Sequence, residues 1–366
     1  MKLRVGVSGL GRGASFVQKL SSLEQCEVVA VCDPNPKALE AFPGLGAFTD
    51  YDEFLAQGRL DVVACIGPGP THFPQALAAL HAGVHVISET PCVYNAAEAT
   101  QIVAAVERTG LKYMLSEDYI FMGWCERLKE LVSSGVLGEI VYAEGEYTHD
   151  CRGIFFQDAE GRFISHGEWL RLGEPRLSWR ATDLPPLTYC SHTLGPILHL
   201  LDDHCVSVVG LNTGHLSFPG TPIVDLESCL CKTTKGAVIR LTNGFGVAHP
   251  FGYWLSLVGS KGSVRLRAMN WPLGVPDVDG KPWPRMDVYI EGETPTWREE
   301  ILPGYERADG MDWIAFELGG FMDAVINDTK PPLDVYESMA VTLPGVLGHE
   351  SGMRGGELIE IPAFQV

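Results

Sequence analysis

The chain opens with a short apolar run, Leu3–Ser8 (LRVGVS), whose β-branched residues suit a buried strand. Gly9-Leu10-Gly11-Arg12-Gly13-Ala14 interrupts it, and Ala14–Leu23 resumes with apolar positions at helical spacing. The pattern is strand, glycine turn, helix. Further continuous apolar runs follow at 27–32 (EVVAVC), 61–66 (DVVACI) and 85–88 (HVIS), with helical stretches at 37–42, 51–57, 72–82 and 96–109. Strands without polar alternation need cover on both faces, so the pattern predicts a parallel sheet flanked by helices. It fades after Tyr113–Leu115, which places a domain boundary near residue 120.

The remainder has a different texture. A helix is expected at 125–134, then alternating strands at 140–147, 205–213, 225–232, 236–244, 253–259 and 262–267, and helices at 311–327 and 335–353. Alternation gives a sheet one buried and one wet face, so 121–366 reads as an α+β domain with an open, mainly antiparallel sheet. The stretch 270–298, rich in Pro, Gly and Trp, reads as a loop or ribbon over one face. The fold class is α/β for 1–120 and α+β for 121–366, and 366 residues is the length of two domains.

Hydrophobic residues make up 46% and charged residues 20%, which suits globular domains and excludes a disordered chain. Lys+Arg is 27 against Asp+Glu 46, a formal charge of -19, so a polyanion meets repulsion and nucleic acid is not an expected partner. A small anionic cofactor stays open, because a helix N-terminus holds a phosphate locally. The ten cysteines are scattered, with no C-x-x-C pair and no zinc-type Cys/His spacing, so no metal is expected and they read as reduced, buried thiols. Met1 leads straight into the first strand with no signal-like segment, and no window holds about 18 uninterrupted apolar residues. The expectation is a cytoplasmic protein with no membrane partner.

Gly9-x-Gly11-x-x-Ala14 stands between a strand and a helix, and Asp33 ends the second strand. Gly9 allows the tight turn, Gly11 clears the approach of a pyrophosphate, and Ala14 is small enough for close helix–strand packing. Gly9, Leu10, Gly11 and Arg12 thus form the expected phosphate-binding turn of a Rossmann domain. Asp33 can accept from both ribose hydroxyls at the adenosine end and would repel a 2′-phosphate, so NAD is favoured over NADP.

Ser88-Glu89-Thr90-Pro91-Cys92 follows the 85–88 strand, and Gly67-Pro68-Gly69-Pro70-Thr71-His72 follows the 61–66 strand. With the glycine turn, these segments resemble the glucose–fructose oxidoreductase/inositol dehydrogenase family (Gfo/Idh/MocA). The resemblance implies that Gly67, Pro68, His72, Glu89 and Thr90 line the cofactor. That family reads Glu-Lys-Pro where this chain has Glu89-Thr90-Pro91, and threonine has no group that titrates near neutral pH. Ordinary members also carry Asp-x-x-x-His where this chain has Thr188-Tyr189-Cys190-Ser191-His192.

The segment Tyr189-x-x-His192-x-x-Gly195-Pro196 is instead similar to glycoside hydrolase family 109, the NAD-dependent glycosidases. The likeness extends to Glu144–Asp150, Trp179-Arg180, Gly310-Met311-Asp312 and Asp334-Val335-Tyr336. It implies His192 and Tyr189 as catalytic residues, Tyr147 as a substrate-side residue, Glu117 as a further acid, and Trp179 and Arg180 beside the cofactor. The His-Gly-Gly that commonly precedes the Met-Asp pair is replaced by Ala308-Asp309-Gly310. From spacing alone, His192 reads more readily as a satisfied core histidine than as a base, and Tyr147 and His149 lie on a strand with alternating faces where one of the two simply faces solvent.

The implied chemistry is hydride abstraction at C3 of a sugar ring by tightly bound NAD, leading to redox-neutral glycosidic-bond cleavage. A plain NAD-dependent sugar or polyol dehydrogenase is the alternative, and a non-catalytic NAD or sugar sensor a third reading. Expected partners are a carbohydrate substrate and further copies of the chain, in a dimer or tetramer that covers the open sheet face. Trp271, Trp283 and Trp297 either stack on a sugar or anchor the 270–298 loop.

Overall fold

The computed structural model describes residues 2–172, 176–249, 252–269, 284–294, 297–302 and 309–364. They fall into two compact units. The first runs to Phe121 and takes in Gly310–Thr342; the second comprises Met122–Asp309 and Leu343–Ala363.

The chain begins with β1 (Leu3–Ser8), α1 (Leu10–Ser21), β2 (Cys26–Cys32), α2 (Pro36–Leu39), β3 (Gly46–Phe48), α3 (Tyr51–Gln57), β4 (Val62–Cys65), α4 (His72–His81), β5 (His85–Ser88), α5 (Ala96–Thr109) and β6 (Tyr113–Leu115). The six strands form a parallel sheet in the order β3-β2-β1-β4-β5-β6. All four residues of β4 are buried, as a continuous apolar run requires. The strand order reverses at β1, whose neighbours are β2 and β4, and ligands of open α/β sheets bind at such a switch point. α1 starts at Leu10, within the glycine stretch, and buries Gly13, Phe16, Val17 and Leu20. The close helix–strand contact falls on Gly13 rather than Ala14: a Cβ at Gly13 would lie 3.1 Å from Val7 Cγ1 and 3.5 Å from Ile66 Cβ.

The second unit holds α6 (Gly123–Ser133), β7 (Ile140–Thr148), β8 (Phe156–Gln157), β9 (Phe163–Ile164), α7 (His166–Trp169), β10 (Arg176–Leu177), α8 (Trp179–Thr182) and α9 (Ser191–Leu201). Then come β11 (Cys205–Asn212), β12 (Leu226–Thr233), β13 (Val238–Gly244), β14 (Gly252–Gly259), β15 (Gly262–Met269), β16 (Arg285–Ile290) and β17 (Arg298–Ile301). The chain closes with α10 (Trp313–Asn327), α11 (Val335–Met353) and β18 (Ile359–Glu360).

The large sheet has nine strands in the order β17-β16-β15-β14-β7-β13-β12-β11-β18. Only the β7–β13 pairing within it is parallel. α9 lies directly on β7 because Gly145 leaves room: a Cβ there would sit 2.8 Å from Thr193 Cβ. On the other face of β7, Glu144 pairs with Arg240 at 2.9 Å.

Two expectations are corrected. Residues 285–290, inside the stretch read as a loop or ribbon over one face, are a strand of the large sheet with Met286 and Val288 buried on one face, and 298–301 pair beside it as the edge strand. Residues 310–342 join the first unit, tied to it by buried bonds, Ser116 Oγ and Glu117 N–H donating to Glu317 and Leu115 N–H to Ser338 Oγ, and by the Lys19–Asp312 pair at 2.6 Å. Trp271 and Trp283 lie outside the described residues. Trp297, 39% exposed, has its ring centroid 5.8 Å from that of Tyr289 and 4.8 Å from the Arg265 guanidinium. All ten cysteines are buried thiols. Among the described residues, no helix is long and apolar enough to cross a membrane.

Candidate active site

In the first unit the turn after β1 is shaped by a contact only glycine permits. Gly9 has φ 87°, and a Cβ on it would fall 2.3 Å from Gly67 Cα in the turn after β4. Gly11 is the opposite case, since a Cβ there meets no heavy atom within 4 Å. Internal packing therefore does not require a glycine at 11, and its small size keeps the backbone open to a ligand at the N-terminus of α1. Asp33 reaches the same turn: Leu10 N–H donates to its Oδ2 at 2.8 Å and Asn35 N–H to its Oδ1 at 2.9 Å.

The next two strand ends are tied by His72, which is 1% exposed. Its Nδ1 lies 2.9 Å from Pro91 O and its Nε2 2.9 Å from Gly67 O. Thr71 donates its hydroxyl to Pro68 O at 2.7 Å, fixing the Gly67-Pro68 turn. Glu89 and Thr90 are buried after β5. Arg12, half-exposed, pairs with Glu89 and lies 4.0 Å from Asp118.

Glu117, just past β6, is fully buried. Its N–H donates to Glu317 Oε1 at 2.7 Å, and Ser116 Oγ donates to Glu317 Oε2 at 2.9 Å. Burial, reinforced by the negative charges of Asp118 and Glu117, pushes the Glu317 carboxyl well above its usual range. Glu317 was not among the expected site residues. Its one sequence signal is an acid on an apolar helix face, between Phe316 and Leu318.

The second unit holds an aromatic group around Tyr147, which is 5% exposed at the end of β7. Its ring centroid lies 5.4 Å from His192, 6.0 Å from Tyr189, 6.1 Å from His149 and 6.3 Å from Phe245. Tyr189 meets His192 edge-on at 4.9 Å. Strand alternation buries Tyr147 and α9 buries His192, while His149 stands exposed at the strand's end. Phe245, a member of this group, gave no signal beyond an aromatic after the Asn243-Gly244 strand end. Thr188 is buried and donates its hydroxyl to Pro185 O at 2.7 Å, so it serves the turn that carries Tyr189. Trp179 and Arg180 open α8, the guanidinium 4.5 Å from the indole centroid. The expected residues thus gather in two groups: Gly9 to Thr90 with Glu117 in the first unit, and Tyr147, Tyr189 and His192, with Trp179 and Arg180 on α8, in the second.

Residues 3–117 match the model of the oxidoreductase family, NAD-binding Rossmann fold. Over that span the chain is an NAD-binding Rossmann domain. A glycosyl hydrolase family 109 protein of Streptomyces niveus is 29% identical over 400 aligned residues, covering 99% of this chain and 77% of its own. An α-N-acetylgalactosaminidase of Bacteroides fragilis is 24% identical, covering 99% of this chain and 92% of its own. Among solved structures, the WlbA dehydrogenase of Bordetella pertussis, in complex with NADH and UDP-GlcNAcA, superposes with a TM-score of 0.73 over the full length of both chains at 19% identity. That likeness speaks to the fold.

The Rossmann domain fits its cofactor on its own geometry. The open backbone at Gly11, the α1 N-terminus and a preset acid at Asp33 match pyrophosphate and ribose diol. In the second unit, phenol and imidazole in ring contact form a group that can hold and pass protons.

Proposed function

We propose that the protein is an NAD-dependent enzyme that acts on a sugar ring and cleaves a glycosidic bond without net oxidation. The observation that carries this reading is the ring contact of Tyr189 with buried Tyr147 and His192, supported by relatives named as glycosidases over 99% of the chain. In this reading Gly9, Leu10, Gly11 and Arg12 hold the pyrophosphate and Asp33 the adenosine ribose. Gly67, Pro68, His72, Glu89 and Thr90, with Trp179 and Arg180, face the nicotinamide end. NAD, when bound, supplies a hydride acceptor and donor for a ring carbon.

The protein's part is proton movement. With C3 at the ketone level, the C2 proton is acidic, and the His192 imidazole takes it. Tyr189 Oη protonates the departing glycosidic oxygen, water adds at C1 of the resulting C1–C2 double bond while a proton returns to C2, the ring carbon C3 regains its hydride, and Tyr147 lines the sugar. Glu117 is a further acid of the site. Such a route does not need the two carboxylates about the scissile bond that ordinary glycosidases use. Tyr189 adds a proton-moving group beside His192, the position of the ordinary members' histidine, in a chain that has threonine at 90 and 188 where they have lysine and aspartate.

The chain is further proposed to be cytoplasmic and to assemble as a homodimer or homotetramer through the outer face of its nine-stranded sheet. The functional test is a panel of aryl glycosides, aryl α-N-acetylgalactosaminide among them, assayed for aryl release with and without NAD. NAD-dependent release of an unoxidised sugar is expected. An oxidised sugar with stoichiometric NADH would establish the dehydrogenase instead, and NAD binding without turnover on any sugar would leave the sensor.

A further inference from the structure

Glu227 on β12 shares a buried face with Cys229 and Cys231 and is itself 0% exposed. A carboxylate there is costly, and an apolar residue like its strand neighbours would avoid the cost. Its two oxygens have specific work. Leu187 N–H donates to Oε2 at 2.8 Å, and His349 Nδ1 on α11 lies 2.7 Å from Oε1. Leu187 is in the same short turn as Tyr189, and α9 with His192 follows directly.

Other contacts converge on this turn. Asn243, also fully buried, donates its Nδ2–H to Tyr189 O at 3.2 Å. α11 presses on the turn at Gly345, where a Cβ would fall 2.1 Å from Leu187 O and 2.3 Å from Cys190 Sγ. Gly348 lets the same helix approach Cys229, with 3.2 Å from its would-be Cβ, which brings His349 to Glu227.

We propose that Glu227, oriented by His349, is a positioning residue that sets the Pro186–Tyr189 turn and thereby the placement of Tyr189 against His192. The inference rests on the reading of those two residues as the proton-moving pair. Glu227 touches neither ring; it acts through the Leu187 amide.

The test compares Glu227→Gln, Glu227→Leu and His349→Ala in the full chain. Gln keeps an oxygen for Leu187 N–H and can offer its amide to His349 Nδ1, whereas Leu leaves the Leu187 amide buried without an acceptor. Hydrogen–deuterium exchange of the peptide spanning 185–192 reads the turn whether or not a substrate is in hand. Protection like the parent's is expected in Glu227→Gln, partial loss in His349→Ala, and loss in Glu227→Leu.

On an aryl glycoside the parent cleaves, Glu227→Leu should lower kcat on the order of 10–100-fold, the scale of a small misplacement, with KM and NAD affinity little changed. Glu227→Gln should stay within a few-fold of the parent. Unchanged protection in Glu227→Leu, or parental kcat in that variant despite lost protection, would overturn the proposal. So would equal loss in the Gln and Leu variants. If Glu227→Leu does not fold, protection in His349→Ala equal to the parent's would overturn it. If the parent cleaves no glycoside, the proposed function fails, and the exchange pattern still decides whether Glu227 sets the turn.

Discussion

At Asp33 both carboxylate oxygens are already engaged by the amides of Leu10 and Asn35, so the acid stands at the glycine turn before a ligand arrives. Replacing it with Ala should weaken NAD by about 1–3 kcal/mol, the worth of charge-assisted hydrogen bonds. Calorimetry checks this, and equal affinities of the parent for NAD and NADP would contradict the role. His192→Ala should cut turnover by about 10²–10⁴, the range for a positioned acid or base, while NAD affinity holds; near-parental rates would return His192 to the core. The glycine turn and Asp33 were legible because their logic is local, a spacing read along one strand, turn and helix. Tyr147 was legible as a strand residue with two possible faces, and the structure buries it. Glu227 was half legible: alternation with Cys229 and Cys231 puts it on their face, yet its partner Leu187 N–H lies 40 residues away and is set by tertiary packing.

Among the elements, α10 brings Glu317 beneath the segment that carries Glu117. Its carboxyl is raised in the folded state from an ordinary 4.5, so below that pH folded and unfolded chains are both protonated there. Above it the unfolded chain ionises while the folded one keeps its proton, and stability drains as pH rises through the folded value. Glu317→Gln should therefore be more stable than the parent at neutral pH, by more than the ~0.5 kcal/mol of an ordinary surface change, and lose that advantage as pH falls to the unfolded range. Urea unfolding across pH measures it, and parallel curves would contradict it.

α11 makes a separate case at Gly345. Alanine in a helix interior is otherwise favoured by about 1 kcal/mol, but its Cβ would overlap Leu187 O, and overpacking of this kind costs about 1–3 kcal/mol. Gly345→Ala should come out destabilising in urea unfolding, and a stabilised variant would contradict the packing. Continuous apolar runs made β1, β2, β4 and β5 readable, whereas β16 and β17 were hidden by the Pro, Gly and Trp around their short alternating patterns.

For the whole molecule, the switch from continuous to alternating strands revealed two parts, and the formal charge of -19 argued against polyanionic partners. The membership of 310–342 in the first unit was not readable, because it rests on contacts between segments far apart in the chain, such as Glu317 with Ser116 and Glu117 and Ser338 with Leu115. Light scattering should give about two or four times the 39.9 kDa chain mass, and a monomer would contradict the proposed assembly. The central claim is that a hydride is taken from the sugar and given back while a proton leaves and returns at the neighbouring carbon. Turnover in deuterated water, followed by mass spectrometry of the released sugar and by absorbance of NADH, tests it most directly. The account predicts deuterium at C2, cleavage with NAD in catalytic amount and no steady growth of NADH. One NADH per sugar oxidised, with no deuterium at C2, would contradict it.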